Sequence, residues 1–307
     1  MKRHPHAAEA GLTLIEMMVA LTISLVLAAA TARVYLGAMA VKSTQDDATG
    51  LSETARFASD LIGRELRKAG FRNTWQIGSG AVAEFCPTGS NPLAPIQGSN
   101  DRVSINPASA DFSGGTQTAI ANASDVLRVR YYGEASGATA TLTDCHGYPV
   151  AANTLVEDTL YVAADSANNN EPTLWCYTSN PAPATTSHPG ALPLVAGVES
   201  LQLLFGEDSD SDGIVNRYVP WQLVAQAHKV AAVKVSLVAR SPNPVALGTG
   251  TTTFAHFGGT SAAPAYPATM ALANNDAGAQ FTAPADKRLR KLFNTEIAVR
   301  NFGYCGQ

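Results

Sequence analysis

The sequence predicts an α+β protein in which one long N-terminal α-helix packs on an antiparallel β-sheet head that carries long loop insertions. An almost wholly apolar run covers residues 12–32, and a stripe of apolar residues at spacings of three and four follows over residues 51–69. No proline interrupts residues 12–70, so both segments favour a single helix. Beyond residue 71, short runs of branched residues alternate with Gly-, Pro-, Ser- and Asn-rich segments, which is typical of strands joined by loops.

The apolar run is long enough to cross a membrane. At about 1.5 Å for each residue, positions 12–32 span roughly 30 Å, the thickness of the bilayer hydrocarbon. Lys2 and Arg3 precede the run. Because basic residues favour the cytoplasmic side, we expect a cytoplasmic N-terminus and an exported remainder.

Glu16 distinguishes this run from an ordinary secretory signal. Residues 28–30 are Ala-Ala-Ala and could imitate the small-residue cleavage site of a secretory signal peptide. An ionised carboxylate within the apolar run, however, costs about 2.5–3.5 kcal/mol on insertion scales and therefore indicates a function. Its partner would be the α-amino group that is created if the chain is cut after Gly11.

The string GLTLIEMMVAL at residues 11–21 resembles the class III signal of type IV pilins and type II secretion pseudopilins, with Leu12 in place of the commoner Phe. The resemblance implies that a prepilin peptidase cuts after Gly11 and methylates the new N-terminal Leu12. It also implies that Glu16 neutralises the terminal amine of a neighbouring subunit in the filament.

Later segments extend the resemblance to the PilW-type minor pilins; they are residues 57–72, 174–176, 195–206 and 291–301. The resemblance implies a pilin-like fold and a minor pilin that joins other minor pilins and the major pilin at the inner-membrane assembly platform. Such a subunit would prime type IV pilus assembly and lie at or near the fibre tip at the cell surface, beside a tip adhesin. Two alternatives stay open: a J-type minor pseudopilin of a type II secretion system, and a pilus-tip adhesion module.

The domain organisation follows from these features. We expect a cleaved leader at 1–11, a transmembrane and assembly helix at 12–33, an exported amphipathic helix at 34–70 with Gly70 as its stop signal, and a β-rich head at 71–307. Loop insertions are predicted near residues 73–120, 178–193 and 241–285. Strands are predicted at residues 125–132, 159–163, 174–177, 198–205, 231–240 and 293–300.

Composition excludes several other functions. The net charge is −4, and no basic patch interleaved with aromatic residues is present, which argues against a nucleic-acid partner. The histidines form no HExxH metal motif, and Ser261 in a Gly-Thr-Ser-Ala tract has no accompanying Asp or His motif. We therefore expect no enzymatic activity.

An Asp-rich segment at residues 208–216 fits the first nine positions of an EF-hand-like calcium loop. Calcium prefers six to eight oxygen ligands, and alternate carboxylates in a turning loop converge on one ion. The twelfth position is Val219 rather than Glu, so the usual bidentate ligand is missing. Two interpretations stay open: an Asp-rich turn without an ion, or a weak Ca²⁺ site whose ligands would be Asp208, Asp210, Asp212, Ile214 and Asn216.

The four cysteines lie far apart without a CxxC pair, which favours disulfides in an oxidising compartment over a zinc site. Four cysteines allow three connectivities. Cys145 and Cys176 bracket a predicted strand pair, so we predict a bond between them, which leaves Cys86 with Cys305.

Overall fold

A computed structural model of the chain describes residues 13–73, 85, 93–102, 104–113, 117–118, 123–136, 139–181, 190–245, 252–258 and 280–301. The chain divides into two compact units, Met1–Asp46 and Asp47–Gln307.

Helix α1 covers Leu14–Lys68 and contains no proline, so the prediction of one long helix is confirmed. Its predicted apolar stripe is buried from Leu51 to Leu66. The helix ends where Gly70 adopts a φ of 71°, a conformation that L side chains rarely take. A Cβ atom at Gly70 would also lie 2.4 Å from the Asn301 carbonyl oxygen, so the position requires glycine.

All strand pairs of the head are antiparallel in the described residues. The strands are β1 (Ile96–Arg102), β2 (Ser104–Ile105), β3 (Gln117–Thr118), β4 (Ser124–Tyr132), β5 (Ala135–Ser136), β6 (Thr139–Ala140), β7 (Leu155–Asp165), β8 (Glu171–Thr178), β9 (Ala191–Ala196), β10 (Val198–Glu207), β11 (Arg217–Val219), β12 (Val230–Pro244), β13 (Thr253–Ala255), β14 (Gln280–Thr282) and β15 (Arg288–Ala298).

Two sheets form the body of the head. Among the described residues, one sheet has the order β1-β4-β7-β8-β9 and the other the order β11-β10-β12-β15. The buried face of α1 after residue 57 packs against apolar residues of both sheets in one continuous core. The apolar residues of α1 recur with the helical period of 3.6, so they lie on one face, and this face covers the sheets.

Side chains at the start of β4 join the two sheets. Ser124 Oγ accepts a hydrogen bond from the Leu201 amide at 2.8 Å, and Asp125 Oδ2 accepts one from the Leu203 amide at 2.8 Å. Buried amides of β10 therefore receive partners from side chains where no strand pairs with them.

A small hairpin covers the other face of the four-stranded sheet. Strands β13 and β14 pair there, and the one-turn helix His256–Gly258 follows β13. The fully buried His256 ring lies between two serines, with Nε2 3.0 Å from Ser200 Oγ and Nδ1 2.7 Å from Ser236 Oγ. Burial lowers the pKa of His256 to about 3, so the ring is neutral at ordinary pH.

Parts of the predicted loop insertions are strands instead. Strand β1 lies within 73–120, β9 begins within 178–193, and β13 and β14 lie within 241–285. The sequence of β1, IQGSNDR, is polar and has little strand propensity, but its register with β4 fixes it as a strand at the sheet edge. Tertiary pairing thus overrides the local signal.

Candidate functional site

The N-terminal end of α1 carries a reciprocal pair of capping hydrogen bonds. The Thr13 amide and hydroxyl donate to Glu16 Oε2 at 3.3 and 3.2 Å, and the Glu16 amide donates to Thr13 Oγ1 at 3.3 Å. This is the capping-box arrangement, in which Glu at the third helical position satisfies an otherwise unpaired amide. The carboxylate of Glu16 is therefore fixed at the helix start within its own chain.

The first unit exposes a long apolar helix surface. Its large apolar side chains from Leu14 to Val41 are 50% to 79% exposed. Among the described residues, α1 is the one helix that is long and apolar enough to cross a membrane. Such a surface requires lipid or other apolar helices around it.

Polar side chains in this segment are satisfied by the helix itself. Thr22 Oγ1 donates to the Val19 carbonyl at 2.8 Å, and Ser24 Oγ donates to the Ala20 carbonyl at 2.6 Å. Because the hydroxyls are paired, they bring no unsatisfied donor into an apolar surrounding. Glu16 stands apart from them as a charged group in this surface.

The predicted cleavage residues Gly11 and Leu12 lie outside the described residues. The cleavage and methylation assignments stay predictions.

The C-terminal end of α1 is held on the head by a buried charged cluster. Lys68 Nζ contacts the Glu65 carboxylate and lies 3.3 Å from Asp158 Oδ2. Tyr131 donates its hydroxyl to Asp158 Oδ2 at 2.7 Å. Burial raises the pKa of Glu65 to about 8, because the cost of burying the charge outweighs the opposing effect of Lys68, and the nearby Asp158 raises it further.

This cluster adjoins the disulfide. Cys145 and Cys176 are joined, with 6.4 Å between their Cα atoms, and the Cys145 amide donates to Asp158 Oδ2 at 3.1 Å. Disulfide and charged cluster therefore meet at one carboxylate. Cys86 and Cys305 lie outside the described residues.

The Asp-rich loop brings three of its predicted ligands together. Single carboxylate oxygens of Asp208, Asp210 and Asp212 lie within 4.8 Å of one another. Asp208 is buried, whereas Asp210 and Asp212 are exposed. Asn216 Oδ1 accepts hydrogen bonds from the amide and hydroxyl of Ser209 at 2.6 and 2.8 Å.

Backbone amides organise the loop around Asp208. Its Oδ1 accepts from the Ser211 amide at 2.7 Å, and its Oδ2 accepts from the Gly213 amide at 2.9 Å. Burial opposes ionisation of Asp208, but these hydrogen bonds outweigh it and lower the pKa of the carboxyl. The loop thus holds an ionised carboxylate in a defined turn. This geometry agrees equally well with an Asp-rich turn that binds no ion and with a turn whose carboxylates bind a cation.

Two protein-family models match parts of this chain, one near each end. Residues 159–301 match the family model of the type IV pilus-assembly protein W, and residues 6–32 match that of the prokaryotic N-terminal methylation motif. Over these residues the chain is similar to PilW-type minor pilins and carries their N-terminal methylation signal. The PilW match begins within β7 and extends past β15, so it contains the whole four-stranded sheet and the Asp-rich loop.

Other comparisons are more distant. No curated protein matches this chain. A solved type IV-like pilin from Thermus thermophilus is similar over 82% of this chain and 97% of its own, with 15% sequence identity and a TM-score of 0.43.

The sequence-based expectations did not include two features of the structure. The capping box was readable as Thr-x-x-Glu before an apolar run, a pattern that Thr13 and Glu16 satisfy. The cluster of Glu65 and Lys68 with Asp158 was not readable, because its members come from distant parts of the chain.

Proposed function

We propose that this PilW-type protein joins other minor pilins in the bacterial inner membrane, primes assembly of a type IV pilus, and lies at or near the pilus tip. The observation that carries the proposal is the exposed apolar half of α1, which begins with Glu16. A surface of this kind suits lateral association of helices in a membrane and, later, in a filament. The major pilin and other minor pilins supply the matching helices.

The charge on Glu16 provides a specific contact between one subunit and the next. A carboxylate in lipid costs about 2.5–3.5 kcal/mol on insertion scales, and a neighbouring cation offsets this cost. Cleavage after Gly11 by a prepilin peptidase would create such a cation at the terminal amine of Leu12. The amine of one subunit then meets the Glu16 carboxylate of the next.

The predicted orientation agrees with this role. Lys2 and Arg3 keep the leader in the cytoplasm, where the peptidase acts, and the head is periplasmic until the subunit enters the fibre. The Cys145–Cys176 disulfide fits that oxidising location. The assembly platform of the inner membrane would draw the anchored helix into the growing filament.

The size of the head supports a position at the tip. The second unit runs from Asp47 to Gln307 and contains two sheets with added hairpins. A head of this size is hard to repeat in a packed shaft, whereas a tip position accommodates one copy. A tip adhesin is a natural neighbour at that position.

Deletion of the gene, followed by electron-microscopic counting of surface pili, tests the proposal. We expect few pili in the deletion strain and normal numbers when the wild-type chain is supplied in trans. Normal piliation in the deletion strain would contradict the priming role. Normal piliation together with a loss of exported enzymes would assign the chain to a secretion system instead.

A further inference from the structure

A cavity of about 810 Å³ opens beside the edge strand β1. It is lined by residues of β1 and β4 and by the segment 221–228, which follows β11. Small-molecule sites in proteins typically have volumes of about 300–1,000 Å³. The size of the cavity therefore suits a small ligand or the end of a peptide.

One wall of the cavity carries an excess of positive charge. Arg128 and Arg130 are adjacent on one face of β4, and both are buried. Glu157 is the single carboxylate among the described residues of the lining. Its Oε1 lies 2.5 Å from Arg130 Nε, and its Oε2 lies 3.9 Å from Arg128 Nε. One negative charge therefore faces two positive guanidinium groups.

The remaining partners of these guanidinium groups are neutral. Arg128 Nη2 donates to the carbonyl oxygens of Pro107 and Ser109, both at 2.8 Å, and the Phe112 ring lies 4.4 Å from the guanidinium carbon. Arg130 Nη1 donates to the Ala94 carbonyl at 3.1 Å. These contacts fix the positions of both side chains but supply no second negative charge.

The rest of the lining is mostly apolar. It includes Leu93, Ile96, Trp221 and Val224, together with the polar residues Gln97 and Gln226. His228 also lines the cavity, and its buried Nδ1 has no hydrogen-bond partner among the described residues. Burial and the nearby Lys229 lower the pKa of His228, so its imidazole is neutral and offers one N–H donor.

We propose that this cavity binds an amphipathic carboxylate, with its carboxylate group beside Arg128 and Arg130 and its aromatic or branched aliphatic part against Trp221 and Val224. A guanidinium group matches the planar geometry of a carboxylate, and the apolar wall gains from burial of the ligand's body. A free carboxylic acid and the C-terminal carboxylate of a peptide share this chemistry.

Isothermal titration calorimetry on the purified full-length chain in a neutral detergent tests the proposal. The probes are benzoate, its neutral analogue benzamide, and the peptide Ac-Ala-Ala-Ala-Leu with a free or an amidated C-terminus. Titration into empty micelles corrects for partitioning. We expect binding of at least one carboxylate probe and no binding of its neutral analogue. Tighter binding of benzoate would indicate a free carboxylic acid as the natural ligand, and tighter binding of the peptide with a free C-terminus would indicate the C-terminus of a peptide.

A matched pair of variants at Ala225 tests the position of the site. Ala225 is exposed and lines the cavity, so it tolerates a larger side chain. Ala225→Glu adds an anion that competes for the arginines, and Ala225→Gln adds a neutral side chain of the same shape. We expect about tenfold weaker binding with Glu than with Gln. Failure of both acids to bind the wild-type chain, equal binding of acid and amide, or equal affinity of the two variants would overturn the proposal.

Discussion

Thr13 and Glu16 hold each other at the first turn of α1, since each side chain accepts a hydrogen bond from the other residue's backbone amide. The same carboxylate is the predicted partner of a neighbouring subunit's amine. Glu16 therefore has two separable roles, one as a helix cap and one as a charge. A capping box works with Gln as well as Glu, which allows the roles to be tested apart.

The first prediction separates the charge of Glu16 from its capping role. Glu16→Gln keeps the cap and removes the charge, whereas Thr13→Ala weakens the cap, by about 0.5–2 kcal/mol, and keeps the charge. We expect Glu16→Gln to insert normally into the membrane but to reduce surface pili about tenfold, the effect of a loss near 1.4 kcal/mol. Thr13→Ala should assemble nearly normally.

Membrane fractionation and counting of pili in the complemented deletion strain measure both effects. Glu16→Ala serves as the third variant, because it removes cap and charge together. Loss of membrane insertion in Glu16→Gln, or equal assembly defects in Thr13→Ala and Glu16→Gln, would contradict the assigned role of the charge.

The second prediction concerns calcium at the Asp-rich loop. If the sequence-based assignment is right, the loop binds Ca²⁺ with a Kd of roughly 0.1–1 mM, typical of extracellular modules, and Asp210→Ala weakens binding about tenfold. Asp210 is exposed, so the substitution should leave stability almost unchanged. Glu53→Ala on the exposed face of α1 is the control.

Calorimetric titration of the metal-free full-length chain with CaCl₂ distinguishes the two interpretations. Heats that fit about tenfold weaker binding in Asp210→Ala and unchanged binding in Glu53→Ala indicate an ion site. Identical heats in all three proteins, or none in the wild type, indicate an Asp-rich turn that needs no ion.

The third prediction concerns pH and the cluster of Glu65, Lys68 and Asp158. Two carboxylates face one lysine, and burial raises the pKa of Glu65 to about 8 in the folded chain. A raised folded-state pKa stabilises the protein fully below the unfolded-state value of about 4.5, and this stabilisation is lost as the pH rises towards 8. We therefore expect wild-type stability to fall between pH 6 and pH 9.

The variant Glu65→Gln should remove most of that pH dependence, because its amide does not titrate. Thermal unfolding at pH 6 and pH 9 would show a drop of several degrees in the melting temperature of the wild type and a smaller drop in Glu65→Gln. Asp60→Asn, at an exposed helix position, should behave as the wild type does. An equal drop in Glu65→Gln would show that other groups dominate the alkaline loss.

How much of this molecule the sequence predicts depends on how local each signal is. The long helix follows from its apolar period, and β12 follows from branched residues at alternate positions, Val233, Val235 and Leu237. Strand β1 could not be predicted, because its polar sequence becomes a strand only through its pairing with β4. The cavity likewise depends on Arg128 and Trp221, which the chain brings together from positions far apart.

The last prediction concerns acid and the buried ring of His256, which lies between Ser200 and Ser236. Burial lowers its folded-state pKa to about 3 from an ordinary value of 6.5, so the folded chain disfavours the charged ring. The resulting stability is complete above pH 6.5 and declines as the pH falls, by about 1.4 kcal/mol for each pH unit. In the window from pH 6.5 to 4.5 ordinary carboxylates titrate little, but Glu65 stabilises the folded chain increasingly as the pH falls and so opposes the effect of His256. Because Glu65 is present in wild type and variant alike, the difference between them isolates the effect of His256.

Denaturant unfolding across that window should show that the stability of the wild type falls, relative to that of His256→Gln, as the pH is lowered, because the glutamine side chain stays neutral. The matched control Ser236→Ala removes a hydrogen bond to the ring and keeps the titrating group. It should lower stability by about 1 kcal/mol at each pH, with the wild-type slope retained. If His256→Gln retains the wild-type slope, the acid sensitivity of the head arises elsewhere. A slope lost in both variants would mean that the Ser236 contact, rather than burial of the ring, sets the titration.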